Sequence, residues 1–504
     1  MTVFSGKSLR PAIFAAVVCL GFVFAPEGYA HRDKGAPLSA RQIRNPLKST
    51  PENLARGQEL YLRLCAACHG ADGTAKTEKA RTLAEPPLDF TDTLIDYLSD
   101  GEIFWDASNG VAPVMPPAAK DVSETERFQI VLWIRELKRK AVDATFGLPP
   151  GFPRPKTPED NPVTPAKVEL GRHLFYDKRL SGNGTQSCAS CHQQRLAFTD
   201  GRTLAVGSTG QTHPRQAMSL VNVAYSPVLT WANPNLRRLE SQALVPLFGE
   251  HPVEMGLPTS EPRLVAQLSA DPVYVRLFRA AFPLDSIDIL HITMALASFE
   301  RTIISGRSPY DRYRFQHQDD AISASAKRGE ELFSSERLEC FHCHGGFNFT
   351  GTVDYAGKSA PEIEFHNTGL YNLAGAISYP PGNTGLYEFT RDTADVGKFK
   401  APTLRNIEVT APYFHDGSAR TLDDVITHYE KGGRRITSGP LAGNGADNPN
   451  RSEFIKPFHL SKQERADLIA FLLSLTDKSL LTDERFSDPW PQVAPPANTA
   501  ANRP

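Results

Sequence analysis

Cys65-Ala-Ala-Cys68-His69, Cys188-Ala-Ser-Cys191-His192 and Cys340-Phe-His-Cys343-His344 are three copies of one pattern, Cys-x-x-Cys-His. The spacing has a mechanical reason. Two thiols three positions apart reach the two vinyl groups on one porphyrin edge, and the following His swings beneath the ring to ligate iron. A chain of this composition holds about 0.003 such pentapeptides by chance, so three copies exclude coincidence. A redox or zinc Cys-x-x-Cys has no need of a His after the second Cys every time. The pattern therefore implies three covalently bound c-type haems. Cys65, Cys68, Cys188, Cys191, Cys340 and Cys343 attach them, and His69, His192 and His344 are iron ligands.

Outward from each motif the frame repeats. Gly57-x-x-Leu60-Tyr61 precedes the first, Gly171-x-x-Leu174-Phe175 the second and Gly329-x-x-Leu332-Phe333 the third. Each reads as a helix turning an aromatic residue toward a haem edge. Later helices open on capping boxes, Ser123-x-x-Glu126 running to Leu137 and Ser461-x-x-Glu464 running to Leu475, and Asp285 to Ile304 is a further helical stretch. Helix, haem loop, helix, three times over, predicts a mainly α protein of three cytochrome-c-like haem domains with long loops. Composition sets the expected boundaries. A first domain spans 31–146, a stiff Pro-rich linker 147–165, the second domain 166–325, the third 326–478 and a loose tail 479–504.

Residues 1–30 read as an export signal. Lys7 and Arg10 form a basic start, Ile13 to Phe24 an apolar run shorter than the ~18–20 residues a span needs, and Gly28-Tyr29-Ala30 a cleavage site. Export places the mature chain in the periplasm, with no membrane span. Of seven cysteines, Cys19 falls in the signal and six in the motifs, so none is left for a disulfide framework. Net charge is -2 with no long basic run, which leaves no electrostatic footprint for nucleic acid or anionic membrane.

The ligand opposite each His decides what that haem does. Met115, in Pro113-Val-Met115-Pro116-Pro117, is the natural partner in the first domain, which resembles a small class I cytochrome c. The mature chain has four methionines, Met115, Met218, Met255 and Met294, and none follows Cys340. The third haem must therefore look elsewhere in its domain, to His366, His415, His428, Tyr413 or Tyr429. In the second domain His213 is a candidate ligand, although His213-Pro-Arg reads equally well as a loop contact. Beyond it lie Trp231, Gln242 and Glu254. A carboxylate over an open iron can move a proton between peroxide oxygens, whereas a loop acid taken alone is more often simply solvated.

Pro402-Thr403-Leu404-Arg405-Asn406 and Thr410-Ala-Pro412-Tyr413-Phe414-His415-Asp416-Gly417 carry a specific resemblance. From about residue 160 to 478 the chain resembles the bacterial di-haem cytochrome c peroxidase and MauG family, with 31–146 as a fused class I cytochrome c. Trp231-Ala-Asn-Pro, Leu239-Glu-Ser-Gln242, Pro246-Leu-Phe-Gly-Glu250 and Phe365-His-Asn-Thr-Gly-Leu-Tyr-Asn372 most resemble its MbnH-like branch, whose members oxidise tryptophan on a copper-binding partner protein. The resemblance implies hydrogen peroxide as oxidant, Glu254 and Gln242 as active-site acid/base and orienting amide, and Trp231 as a bridge between haems. It implies Tyr429 as ligand to the third haem, where classical peroxidases carry Met. It also implies calcium between the haems, held by Thr410, Pro412 and, in place of the family's Asn, Gln216. Three functions follow as expectations. The first is peroxide-driven oxidation of a partner protein residue such as Trp, the second peroxide reduction fed by a small cytochrome through 31–146, and the third a non-catalytic electron relay.

Overall fold

The computed structural model describes residues 36–490, apart from 92–94, 96–97, 119, 283–285 and 376. The expected export signal and residues 491–504 lie outside the described residues. The chain is mainly helical, and among the described residues its β structure is two short antiparallel pairs. No described helix is long and apolar enough to cross a membrane.

The helices that position the motifs are α1 (Pro51–Leu64), α2 (Glu124–Phe146), α3 (Pro165–Tyr176), α4 (Leu239–Phe248), α5 (Ile289–Glu300), α6 (Ala324–Phe333), α7 (Leu422–Glu430) and α8 (Lys462–Ser474). Their starts follow from local chemistry. Thr50 and Thr164 accept backbone N–H bonds ahead of Pro51 and Pro165, and the Ser123–Glu126 and Ser461–Glu464 capping boxes both close. α2 continues well past Leu137, to Phe146, and stops where Gly147 turns left-handed and donates to Asp143 and Ala144 carbonyls. The stretch expected from Asp285 begins instead at Ile289, where Asp288 caps it by accepting from the His291 amide.

One packing event is repeated three times. A Cβ on Gly57 would lie 2.1 Å from the Gln129 carbonyl of α2, on Gly171 2.0 Å from that of Ala295 in α5, and on Gly329 2.0 Å from that of Asp467 in α8. Only glycine lets the helix before each motif cross the helix after it at backbone contact. One turn on from each glycine, Tyr61, Phe175 and Phe333 are buried. Phe175 packs against Phe299, and Phe333 against Phe471, at 5.2 and 5.1 Å between ring centroids. Each crossing seeds its own apolar core.

Two stretches differ from their composition. Residues 147–165 are seated, not free-standing. Phe152 is buried edge-on against Tyr225 and Phe347, with the Arg405 guanidinium 4.6 Å above its ring. The expected loose tail is packed over its first residues. Leu480 and Phe486 are buried in the second core, and Trp490 Nε1–H donates to the His173 carbonyl at 3.1 Å. A few apolar side chains in a Pro- and Ala-biased run are enough to dock it, because each removes apolar surface from water.

Candidate active site

Each motif is a single helical turn whose His is held the same way. Nδ1 of His69 lies 2.9 Å from the Leu88 carbonyl, that of His192 2.9 Å from Phe198 and that of His344 3.2 Å from Phe349. An Nδ1–H donated to a carbonyl leaves the Nε2 lone pair for a metal and fixes the ring's direction. Burial lowers the proton affinity of all three, His344 to about 4, so each imidazole is neutral near pH 7. The cysteines form no disulfides. Burial pushes the Cys65, Cys340 and Cys343 thiols up to about 12 and Cys191 to about 11. A redox dithiol requires the opposite shift. This chemistry suits thioether attachment with His as proximal ligand.

A continuous cavity of about 550 Å³ runs from the second motif to the third, lined by Cys188, Cys191 and His192 at one end and Cys340, Cys343 and His344 at the other. Its walls are mostly apolar, with Leu247, Leu296, Ile426 and Leu472 among them. One wall carries a buried cation. Lys400 is 6 % exposed and donates only to Ser226 Oγ and the Val228 carbonyl, with no carboxylate paired to it among the described residues. Burial pushes its ammonium down to about 8. An unpaired buried cation is costly, and the carboxylates of a porphyrin would supply the missing charge. The residues present therefore fit a covalently bound haem.

At the His192 end, Gln242 on α4 and Glu254 on the following loop line the same space. The loop is pinned by its backbone, Met255 N–H to the Pro246 carbonyl at 2.9 Å and Ser208 N–H to the Glu254 carbonyl at 2.7 Å. Burial raises the Glu254 carboxyl above its usual range, and no paired cation offsets this. His213 also lines the cavity, its Nε2 3.7 Å from Glu254 Oε1 and its Nδ1 accepting from the Arg215 amide.

At the His344 end most candidate ligands are committed elsewhere. His428 bonds the Thr368 carbonyl at 2.8 Å, the Tyr413 hydroxyl donates to the Ile407 carbonyl, and His366 faces Glu364. His415 stacks on Phe399 at 3.6 Å. Tyr429, on α7, faces the cavity beside Cys340 and Cys343, and burial pushes its phenol further above the usual range. Trp231 is buried in the shared wall. Its Nε1–H donates to the Gln216 carbonyl at 2.9 Å, and its own carbonyl accepts from Lys400 N–H.

The expected calcium donors adjoin. Gln216 Nε2 donates to the Pro412 carbonyl at 2.5 Å, and Thr410 lines the same cavity. Carbonyl and amide oxygens are hard donors of the kind calcium takes, though the Gln216 amide would have to turn its oxygen inward. Met115 lies apart, half-buried in a tight turn bridged to Val111, and His69 is buried beside Phe90 at 4.3 Å.

Three residues of this region were given no role from the sequence. Lys400 and Glu300 gain meaning only from burial. Arg405, inside the Pro402–Asn406 stretch, is 1 % exposed and bonded through Nη1 to both Asp311 carboxylate oxygens at 2.9 Å. The neighbouring Asn406 donates to Ser305 Oγ at 2.7 Å. That signature stretch thus clamps the segment carrying Ser305 and Asp311.

Fold and cavity together define a haem oxidoreductase of the c-type multihaem class. Residues 165–320 match the family described as di-haem cytochrome c peroxidase, and 52–134 the one described as cytochrome c oxidase, cbb3-type, subunit III. The chain is 37 % identical over 338 residues to the methylamine utilization protein MauG of Methylorubrum extorquens, covering 66 % of this chain and 84 % of that one. It is 32 % identical to a cytochrome-c peroxidase of Denitromonas iodatirespirans, covering 70 % and 93 %. A solved structure titled as a MauG-like protein associated with microbial copper homeostasis is 48 % identical, with TM-score 0.66, covering 68 % of this chain and 99 % of that chain. The chain belongs to the di-haem cytochrome c peroxidase/MauG family.

Proposed function

We propose that the chain is a periplasmic tri-haem enzyme that uses hydrogen peroxide at the His192 end of the cavity to oxidise a residue, such as Trp, of a partner protein. The observation carrying this reading is the single cavity shared by His192, Gln242, Glu254, Trp231, His344 and Tyr429. When bound, the haem supplies the redox chemistry of its iron. Glu254, raised by burial and unpaired, takes a proton from one peroxide oxygen and returns it to the other, while the Gln242 amide orients the molecule. His344 and Tyr429 would hold the second haem of the cavity, and a phenol oxygen that gave up its proton to the metal would be a hard donor favouring the oxidised state. Trp231 carries charge between the two ends. His69 with Met115 holds an electron-carrying haem in 36–146. Gln216, Thr410 and Pro412 hold calcium beside Trp231, stiffening the wall it shares. The similarity to a MauG-like protein associated with copper homeostasis supports a copper protein as partner.

The match of 52–134 to a cytochrome c domain favours a second reading, in which a small cytochrome feeds electrons through that domain for peroxide reduction. One assay separates the two. Holoenzyme receives peroxide with reduced cytochrome c in one tube and with a candidate copper-binding partner protein in another. A mass change on partner tryptophan without fast cytochrome oxidation supports the first reading. Rapid cytochrome oxidation with an unmodified partner supports the second.

A further inference from the structure

The His192 end of the cavity contains a second carboxyl that the reaction as described does not use. Glu300 is the last residue of α5 and is 6 % exposed. It lines the cavity together with Leu296, Leu247 and Ala243, and its charge bears on Cys188. Its Oε2 has no hydrogen-bond partner. The neighbouring cation is spent elsewhere. Arg301 gives Nη1 and Nη2 to the two oxygens of Glu240, at 2.7 and 2.9 Å. The titratable groups bearing on Glu300 are therefore Glu240 and Arg301 behind it and Cys188 on the cavity side. An orphaned polar atom in a native interior calls for a partner the protein does not itself provide, and here that partner must enter the cavity.

We infer that Glu300 is a second proton-holding carboxyl of the peroxide site, donating its proton into the cavity and being recharged from solvent. The inference rests on the proposed peroxide chemistry at His192. Reduction of one hydrogen peroxide to two waters takes up two electrons and two protons. The electrons come from the redox partner. Glu254 only relocates a proton already on the peroxide, so it adds none. Each proton consumed in the return to the resting state must be delivered through a wall of mostly apolar side chains, and Glu300 is an acid set in that wall. Burial, reinforced by the Glu240 carboxylate and opposed by Arg301, pushes its carboxyl up to about 8, so it enters the cycle protonated at neutral pH. The Arg301–Glu240 pair, with Arg238 and Asp160 reaching the surface beyond it, marks the side from which it is recharged.

The test uses holoenzyme as wild type, Glu300→Gln, Glu300→Asp and Glu254→Gln. Infrared difference spectra taken on either side of pH 8 should show a protonated carboxylic acid signal that E300Q removes and E300D shifts. Stopped-flow mixing with peroxide should give an unchanged first oxidation in E300Q. The return step, driven by whichever of the two donors the wild type oxidises (the copper-binding partner protein or reduced cytochrome c), should fall about 100-fold, the scale of one general acid, and lose its solvent deuterium effect, with E300D restoring most of the rate. E254Q should instead collapse the first step. An infrared signal unaltered in E300Q and E300D overturns the inference, as does an unchanged return step in folded, haem-loaded E300Q. If E300Q fails to assemble, the E300D signal and rate decide alone. Wild-type enzyme unreactive to peroxide would sink the functional reading instead.

Discussion

Glu254 Oε1 stands 3.7 Å from His213 Nε2, too far for a hydrogen bond and close enough that each limits the other. Burial moves them in opposite directions, the carboxyl up and the imidazole down. Burial disfavours the imidazolium form of His213, so His213 does not lock Glu254 in an ion pair. The Glu254 carboxylate is left free to accept a proton and, with burial favouring its protonated form, to return it. Glu254→Gln should lower peroxide-dependent turnover by about 10²- to 10⁴-fold, with haem content unchanged by pyridine haemochrome spectra. Turnover within a few-fold of wild type would remove Glu254 from the mechanism.

Tyr429 faces the cavity beside Cys340 and Cys343, whereas the Tyr413 hydroxyl is committed to the Ile407 carbonyl. Tyr429→Met replaces a hard oxygen by a thioether, which raises the potential of a c-type haem. Spectroelectrochemical titration should show one haem moving to higher potential while the other two stay in place. An unmoved titration would show that another group holds that position.

Arg405 and Asp311 are both buried and joined at 2.9 Å, 94 residues apart in sequence. Arg405→Met leaves the Asp311 charge unpaired and should cost about 3–5 kcal/mol in denaturant unfolding. The double change Arg405→Met with Asp311→Leu should recover much of that loss, because the stranded charge is gone. A double variant as unstable as Arg405→Met and Asp311→Leu combined, with no gain from removing both partners, would contradict the pair's coupling, the Asp311→Leu single variant measuring the loss of the Ser308–Asp311 cap.

Burial alone would raise the Glu240 carboxyl, but the bonds from Arg301 and Asn161 outweigh it and hold it at about 2, against an unfolded value of 4.5. A depressed acid contributes stability that is fully present above pH 4.5 and is lost as pH falls toward 2. Glu240→Gln should be less stable than wild type at pH 7, and the gap should close between these values. Parallel acid-unfolding curves for the two proteins would contradict the pairing.

How much of this was legible in the sequence depended on how local the cause was. The haem motifs were legible because their spacing is fixed by one porphyrin edge. The glycines at 57, 171 and 329 were legible as a repeat, and the structure supplies the reason, a carbonyl about 2 Å from where each Cβ would sit. Glu254 and Gln242 could be named as candidates from the residues, but their expected roles came from the resemblance, since nothing local separates a cavity acid from a solvated one. Glu300 and Lys400 were missed because their chemistry comes from what surrounds them, not from what precedes them. The packed start of the tail was misread because its partners are far back in the chain: the Leu480 carbonyl accepts from Gln194, Phe486 packs on Phe198 and Phe299, and Trp490 donates to the His173 carbonyl on α3.

The central claim is that three similar motifs hold unequal haems, with only the His192 site open to peroxide. Ferric electron paramagnetic resonance of the holoenzyme, with and without cyanide, tests it directly. The account predicts one high-spin haem that cyanide and peroxide both shift, absent in His192→Ala, beside two low-spin haems that neither touches. Three low-spin haems unresponsive to both, or a responsive haem that survives His192→Ala, would contradict it.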